Sequence, residues 1–452
     1  MSEQIRLKKG LDLPVKGAAL RKISMTVVPD IVALKPTDFR NLIPRMLIKE
    51  GDVVKAGTPV FADKKNPDIL FTSPVSGTVD AIVRGEKRKL LEVRIKSDNS
   101  GAAVKFNVPT GFFLDRENVI KALLESGLWP CIKQRPYGTI ADPSVTPKAI
   151  FISAMATAPL AAELEYVLEE EFEALQTGLT VLGKLTEGGV HLSLNARNYI
   201  SGNFHKFEGV ICHYFSGPHP AGNVGVQINH ISPISKGETV WTVDLFLVAA
   251  IGKLFLKGVY DTSRIIAVAG PAVVNPSYVR CCAGIAMEQI SDLFNFAHGN
   301  IRIISGDLLS GKTVGREGFL GFYDNLVTAL PEGDYHEMFG WAKPFRLKKF
   351  SSSRTYFSRL TPRKKYNMDT NTNGGERAFV LSDVYGKVLP MDIYPVYLFK
   401  AILAGNIEKM ENFGIYEIIE EDVALCEFVC PSKIEIQSIV SEGIELMIKE
   451  MS

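Results

Sequence analysis

Residues Asp68 to Val83 read DILFTSPVSGTVDAIV. Two runs rich in β-branched and aromatic residues flank a Ser-Pro-Val-Ser-Gly turn, the pattern of strand, turn and strand. Similar runs lie on both sides: MTVVPDIVAL at 25–34, VKAGTPVFADK at 54–64 and LLEVRIKS at 90–97. Gly51-Asp52, Ala56-Gly57 and Ser76-Gly77 punctuate them. The stretch from 25 to 105 therefore predicts a small all-β barrel or sandwich.

The pattern then changes. Asp115 to Leu128 predicts an amphipathic helix, with Asp115 as N-cap, Val119, Ile120, Leu123 and Leu124 on one face, and Gly127 near its stop. Lys148 to Met155 reads as a buried strand, and Leu160 to Gln176 as a helix whose other face is acidic. Gly178–Leu182, Glu208–Tyr214 and Glu238–Leu245 read as strands. Strands alternating with helices from about 110 to 260 predict an open α/β domain. Arg264–Val268 and Asn300–Ile304 read as strands around a helical Ser277–Phe294, or a shorter helix within it. Residues 341–366 read as loop, and Val396–Ala404, Ile407–Phe413 and Ser438–Glu450 as helices.

Length and composition agree with several domains. The 452 residues suggest two to four, and 46% hydrophobic residues exclude a disordered chain. The net charge of +1 gives no global argument for nucleic-acid binding. The N-terminal segment has no apolar core of a secretory signal. The most apolar window, Thr239–Val259, is interrupted by Asp244 and Lys253, so it reads as a buried strand and helix rather than a membrane span. Six cysteines are too sparse for a disulfide framework, and the cytoplasm is the expected compartment.

Several motifs carry possible chemistry. Gly306 to Thr313, GDLLSGKT, fits the phosphate-binding pattern G-x-x-x-x-G-K-[ST]. A P-loop would open a helix here, but Gly315, Gly318 and Gly321 follow closely, which favours strand, turn and strand. A soluble P-loop enzyme is kept as the alternative function. Gly217, His219, Gly222 and Gly225 lie in a Gly-rich loop after an α/β strand, where backbone approaches ligands. Their spacing is not G-x-G-x-x-G, and Pro218 and Pro220 remove amide donors. His191, His205, His213, His219 and His230 cluster in sequence with Cys212, but without the close pairing of a zinc site, so no metal is expected. Cys426 and Cys430, followed by Pro431, match the end of a ferredoxin-type cysteine run. The two earlier cysteines are replaced by Glu420 and Val423, so two buried thiols are expected.

Charge is segregated. Residues 341–366 hold nine basic residues and no acid, interleaved with Trp341, Phe345, Phe350, Tyr356, Phe357 and Tyr366. An acidic protein, an anionic lipid surface or nucleic acid would suit such a block; with no nucleic-acid fold around it, the membrane surface ranks first. Glu163, Glu165, Glu169, Glu170, Glu171 and Glu173 make the acidic helix face, read as solvated or as a docking face for a basic partner.

A resemblance spans 8–433. Its blocks are Lys8-Lys-Gly10 with Pro14, Phe61 to Pro67, Phe71 to Gly77, Gly127-Leu-Trp129, Arg135-Pro-Tyr137, Ser216 to Gly225, Gly270-Pro-Ala with Arg280, Lys387 to Asp392, and Ala424 to Pro431. Together they resemble the A subunits of the bacterial Na+-translocating NADH:quinone oxidoreductases (Na+-NQR). The resemblance implies a multidomain α+β chain. Its units are a barrel-sandwich hybrid of biotinyl/lipoyl type (1–105), a Rossmann-like α/β domain (106–260), a β-grasp, SLBB-like module (261–330), and a basic segment with a C-terminal helical domain (331–452). Carriers have Met-Lys-Met at the barrel turn where Asp63-Lys64-Lys65 stands, so it does not imply lipoylation or biotinylation of Lys64. Relatives bind flavin and an iron–sulfur cluster in the second and fourth units. Here SGPHPAGNVG replaces the flavin loop, and only Cys426 and Cys430 remain of the cluster ligands.

The function this implies is that of a peripheral subunit on the cytoplasmic face of the bacterial inner membrane. It works in a complex that passes electrons from NADH to quinone and exports Na+. The subunit has no catalytic residue or redox cofactor of its own; NADH, flavins, iron–sulfur centres, quinone and Na+ are handled by other subunits. Its expected partners are the integral and peripheral subunits and an anionic membrane surface, not nucleic acid. Contact with quinone is implied only at the level of the family. Trp129, Lys133, Arg135 and Tyr137 are the residues read for it, an aromatic ring beside cations.

Overall fold

The computed structural model describes residues 4–198, 202–297, 299–337, 343, 345–353, 356–361, 363–380 and 383–451. Trp341 and Arg354 of the basic segment lie outside these residues, as does the side chain of Arg359.

The β-rich stretch folds into two small facing sheets. One has the order Ile31–Leu34, Leu90–Ser97, Gly77–Arg84, Val53–Val54; the other Pro44–Met46, Pro59–Asp63, Leu70–Thr72. Alternate residues point inward, so Val32, Val60, Phe61, Phe71, Val93 and Ile95 are buried between the sheets. Phe61 stacks on Phe71 at 4.7 Å. Each such side chain contributes about 1.5–3 kcal/mol. Lys64 and Lys65 sit exposed on the hairpin, held by Asp63 Oδ1 accepting from the Lys65 amide at 3.0 Å.

The second unit is a seven-stranded sheet in the order Gln4–Arg6, Ile211–Ser216, Val190–Asn195, Ile150–Ser153, Val240–Val243, Ile132–Arg135, Thr139–Ile140. The first five strands are parallel and the last two antiparallel. Helix Arg116–Ser126 starts where Asp115 accepts from the Asn118 amide and stops at Gly127, whose φ of 76° is cheap only for glycine. Helices Phe172–Leu182 and Leu245–Lys257 cross closely. A Cβ on Gly178 would lie 2.2 Å from the Val248 carbonyl, and one on Gly252 1.7 Å from that of Ala174. The strand expected at Gly178–Leu182 is therefore the end of a helix. Its Thr and Val residues imitate a strand, but the glycine marks a helix crossing.

The third unit has a six-stranded sheet, Lys312–Thr313, Ile301–Ser305, Leu326–Pro331, Ser263–Ala269, Ser277–Cys282, Leu20–Thr26, with helix Met287–Phe294 against it. The helix expected from Ser277 is thus strand first and helix only from Met287. Five helices follow: Val384–Val388, Pro395–Leu403, Ile407–Phe413, Glu420–Val429 and Ile436–Met451.

The first 26 residues leave the barrel. Gln4–Arg6 forms an edge of the α/β sheet, and Leu20–Thr26 forms an edge of the third unit. The Met25–Val28 run, read as the first barrel strand, belongs to that third sheet up to Thr26; the Val27 amide donates to the Arg280 carbonyl at 2.8 Å. Pro29 then breaks the run before the barrel begins at Ile31.

Candidate functional site

The α/β sheet has one switch point. From Ile150–Ser153 the chain steps outward to Val190–Asn195 and Ile211–Ser216, then returns to Val240–Val243 on the other side. Ligands of open α/β sheets bind where strand order reverses, beyond the carboxyl ends of the strands. A cavity of about 130 Å³ lies there, lined by Ser153, Thr242 and Asp244, the loop residues Gly222 and Asn223, and Lys133, Arg135 and Glu421.

The crevice is filled from within. Arg135 ends its strand with its side chain buried. It donates through Nη1 to Asp422 Oδ2 at 2.6 Å and through Nη2 to Glu421 Oε1 at 2.7 Å. Burial works against the guanidinium charge, but Asp422 and Glu421 outweigh it and hold the pKa above its ordinary value. Asp422 is also buried; its Oδ2 accepts from the Ile419 amide at 3.0 Å and so starts helix Glu420–Val429. Its Oδ1 has no hydrogen-bond partner among the described residues. That atom lies 2.5 Å from where a Cβ on Gly225 would stand, in the first turn of helix Val224–Ile231, and Arg135 Nη1 lies 2.3 Å from the same point.

A helix N-terminus at a switch point is where an α/β fold holds a phosphate, because free amides and the helix dipole favour negative charge. Here the carboxylate of Asp422 takes that place, brought in by the C-terminal helical unit. Sites for drug-sized ligands occupy about 300–1,000 Å³. A flavin does not fit the remaining 130 Å³.

The Gly-rich loop serves the same closure. A Cβ on Gly217 would lie 2.7 Å from the Leu7 carbonyl, and one on Gly222 2.3 Å from that of Met155. His219 is buried, its amide donating to Asp12 at 2.8 Å and its Nδ1 lying 3.2 Å from Thr157 Oγ1. Burial keeps its pKa below the ordinary value against the pull of Asp307, Asp12 and Asp422. All four residues read from the loop thus make contacts within the chain.

The four residues read as a quinone contact do not converge. Trp129 is fully buried, donating from Nε1 to the Ala141 carbonyl at 2.8 Å with its ring edge-on to Trp241. It faces the core, not a cleft. Tyr137 is half-buried against Tyr416. Lys133 and Arg135 do meet, both lining the crevice. The Lys133 ammonium lies 3.2 Å from Asp244 Oδ2 and 4.4 Å above the ring of Tyr323.

A second, wider cleft of about 940 Å³ opens beside the crevice, lined from all four units. Arg40 and Lys89 come from the barrel, Lys133 and Asp244 from the α/β unit, Asp307 and Lys312 from the third, and Glu420 and Glu445 from the helices. The spacing of residues did not reveal this cleft, nor the part played by Glu421 and Asp422. Three consecutive acids, Glu420 to Asp422, were the available signal.

The other motifs resolve locally. Gly306–Thr313 is a turn between strands Ile301–Ser305 and Lys312–Thr313. Asp307 Oδ1 accepts from the amides of Leu309 (2.7 Å) and Ser310 (3.2 Å), so the donors a phosphate would use are taken. Cys426 and Cys430 are buried, with Tyr385 Oη 3.1 Å from Cys430 Sγ, and burial pushes the Cys426 thiol up. Of the histidines, His191 Nδ1 and His213 Nε2 are 2.8 Å apart. Among the described residues no group of three or more His, Cys, Asp or Glu is placed to hold a metal ion. Part of the acidic helix face meets the chain's own cations: Glu163 pairs with Arg21, Glu170 with Arg280 and Glu171 with Lys253.

Comparison with known families gives three matches. The model described as "NqrA N-terminal barrel-sandwich hybrid domain" matches residues 5–98, "NqrA second alpha/beta domain" matches 114–260, and "NQRA C-terminal domain" matches 265–316. Relatives described as the A subunit of a Na(+)-translocating NADH-quinone reductase align along nearly the whole chain. That of Yersinia pseudotuberculosis is 41% identical over 439 residues, covering 95% of this chain and 96% of its own. That of Klebsiella pneumoniae is 40% identical over 434 residues, with 95% and 96% covered. That of Rhodopirellula baltica is 38% identical over 452 residues, with 98% of each covered.

Proposed function

The chain belongs to the NqrA family, the A subunits of the Na(+)-translocating NADH-quinone reductases, and from that membership we propose that it serves its complex without a redox cofactor of its own. The observation that carries this reading is the Arg135–Asp422 pair, which takes the place of a flavin phosphate in the α/β crevice. NADH, flavins, iron–sulfur centres and Na+ are then the business of other subunits. This chain supplies a closed, four-unit body that docks on integral and peripheral partners.

We read it as peripheral and on the cytoplasmic side of the bacterial inner membrane, touching an anionic membrane surface. Among the described residues no helix is long and apolar enough to cross a membrane, which supports a peripheral attachment. Quinone, where it reaches this chain, meets the wide cleft at Lys133 rather than Trp129. An ammonium over an aromatic ring would stabilise the anionic oxygen formed on reduction. The divisions near 105, 260 and 330 remain the working scheme of units.

Purification from native membranes tests the reading. The chain should leave the membrane with its partner subunits and be released from them by salt or chaotrope, and the released chain should not bind flavin mononucleotide in calorimetry. Stoichiometric flavin on the isolated chain, or recovery of the native protein as a free monomer, would refute it.

A further inference from the structure

The basic segment divides into cations the fold uses and cations it does not. Arg346 pairs with Glu337 and lies 5.2 Å over the ring of Tyr356. Lys349 pairs with Asp369 at 3.0 Å, Lys343 with Glu337 at 3.1 Å, and Lys364 donates to the Leu347 carbonyl at 2.6 Å. These contacts fix the loop. Lys348, Arg363 and Lys365 have no ion pair among the described residues, and all three are exposed. Beside them in the same segment stand large apolar side chains turned to solvent: Phe345 is 77% exposed, Leu360 71% and Leu347 51%.

Apolar tips between unpaired cations, with no carboxylate from 341 to 366, fit one surface well. An anionic bilayer offers phosphate charge to the cations and an apolar layer just below to the tips. Single-stranded nucleic acid would offer charge as well, but its binding sites stack bases on aromatic faces. Leu347 and Leu360 have none to offer. We infer that Phe345, Leu347 and Leu360 insert at the headgroup boundary of an anionic membrane while Lys348, Arg363 and Lys365 contact lipid phosphates. The inference rests on the reading of the chain as peripheral to a membrane complex, and it names the face that meets the lipid.

The test is flotation of the full-length isolated chain with vesicles of phosphatidylcholine, alone or with about one third phosphatidylglycerol. The parent chain should float only with the anionic vesicles and be released in about 1 M salt, where charges are screened beyond roughly 3 Å. Replacing Lys348, Arg363 and Lys365 together by Gln should weaken partitioning roughly a hundredfold, at about fivefold per cation. The pair Phe345→Ser and Leu360→Ser should weaken it while leaving the salt dependence in place. All these side chains are exposed, so unchanged thermal unfolding shows that the variants fold. No flotation of the parent chain, or equal flotation of parent and variants, overturns the inference. Retention on single-stranded DNA but not on vesicles assigns the block to nucleic acid and overturns it too. Because only the isolated chain is used, such a failure leaves the assembly reading standing, whereas failure to co-purify with partner subunits strikes that reading alone.

Discussion

Replacing Arg135 by Met tests whether the crevice is held shut by charge. The side chains of Arg135 and Asp422 are 2% and 0% exposed, so the guanidinium is the main compensation for a carboxylate cut off from water. Glu421, at 36%, can turn to solvent when its partner goes. Breaking a buried pair by removing one partner costs about 3–5 kcal/mol, most of it the stranded charge. The stranded Asp422 would escape by taking a proton, so its folded-state pKa would rise above the ordinary value near 3.9. A raised carboxyl pKa favours the folded state at low pH and loses that advantage as pH rises through the folded value. The variant should therefore be destabilised more at about pH 8 than at about pH 5. Urea unfolding of the full chain followed by circular dichroism reads both numbers. The double variant with Asp422→Leu should be milder than the single change, since apolar pairs often replace buried ion pairs at little cost. A single-variant cost below about 1 kcal/mol, or a double variant as damaged as the sum of the singles, refutes the argument.

Three further changes probe other parts of the structure. Lys312→Ala removes only a 3.3 Å bond to the Thr37 carbonyl and a 3.8 Å approach to Asp38 from a side chain 64% exposed; stability should move by less than about 1 kcal/mol. Calorimetry with Mg-ATP should be blank for parent and variant, and saturable binding lost on mutation would restore the P-loop reading. Gly252→Ala places a Cβ 1.7 Å from the Ala174 carbonyl, so the crossing helices must separate; a loss of about 1–3 kcal/mol in urea is expected, and a gain would show the crossing is loose. Burial lowers the pKa of both His191 and His213 from 6.5. Their contribution is full above that value and is lost as pH falls through the lower folded-state values. His191→Phe, stacked on Phe151, should flatten the loss of stability below about pH 6.5, and an unchanged pH profile would count against it.

The barrel was legible in the sequence because its strands alternate and its turns carry Gly, Pro and Asp at the breaks, a local signal. So was helix Arg116–Ser126, where N-cap and C-cap are both explicit. Gly178 misleads because a helix crossing and a strand bend ask for the same small residue. Trp129 misleads because closeness in sequence is not convergence in space. It sits in a turn just before strand Ile132–Arg135, from which Lys133 and Arg135 project toward the crevice, two residues apart on one face. The Arg135–Asp422 pair was out of reach for a different reason. Its partners lie 287 residues apart, and an acid in the first turn of a helix already has a sufficient local explanation.

The distribution of charge has the same long-range logic. A sum of +1 conceals a basic block at 341–366 and acidic ones at 163–173 and 411–452, which on sequence alone read as faces for outside partners. Much of the acid is spent inside the chain. Glu163 and Glu170 join the α/β unit to Arg21 and Arg280 on the third unit's sheet, while Glu171 meets Lys253 of its own unit. Glu420 ties the helical unit to Arg40 of the barrel, and Glu411, Glu421 and Asp422 tie it to Lys236 and Arg135 of the α/β unit. The basic block is answered only in part, by Glu337 and Asp369 in its own neighbourhood. Ion pairs half-buried between units lose less to salt than exposed ones. High salt should therefore release the chain from whatever the basic face meets before it loosens the joints among the four units. A chain whose units separated first would show that the acidic joints are surface contacts, and that the basic face is not the place where charge was kept for a partner.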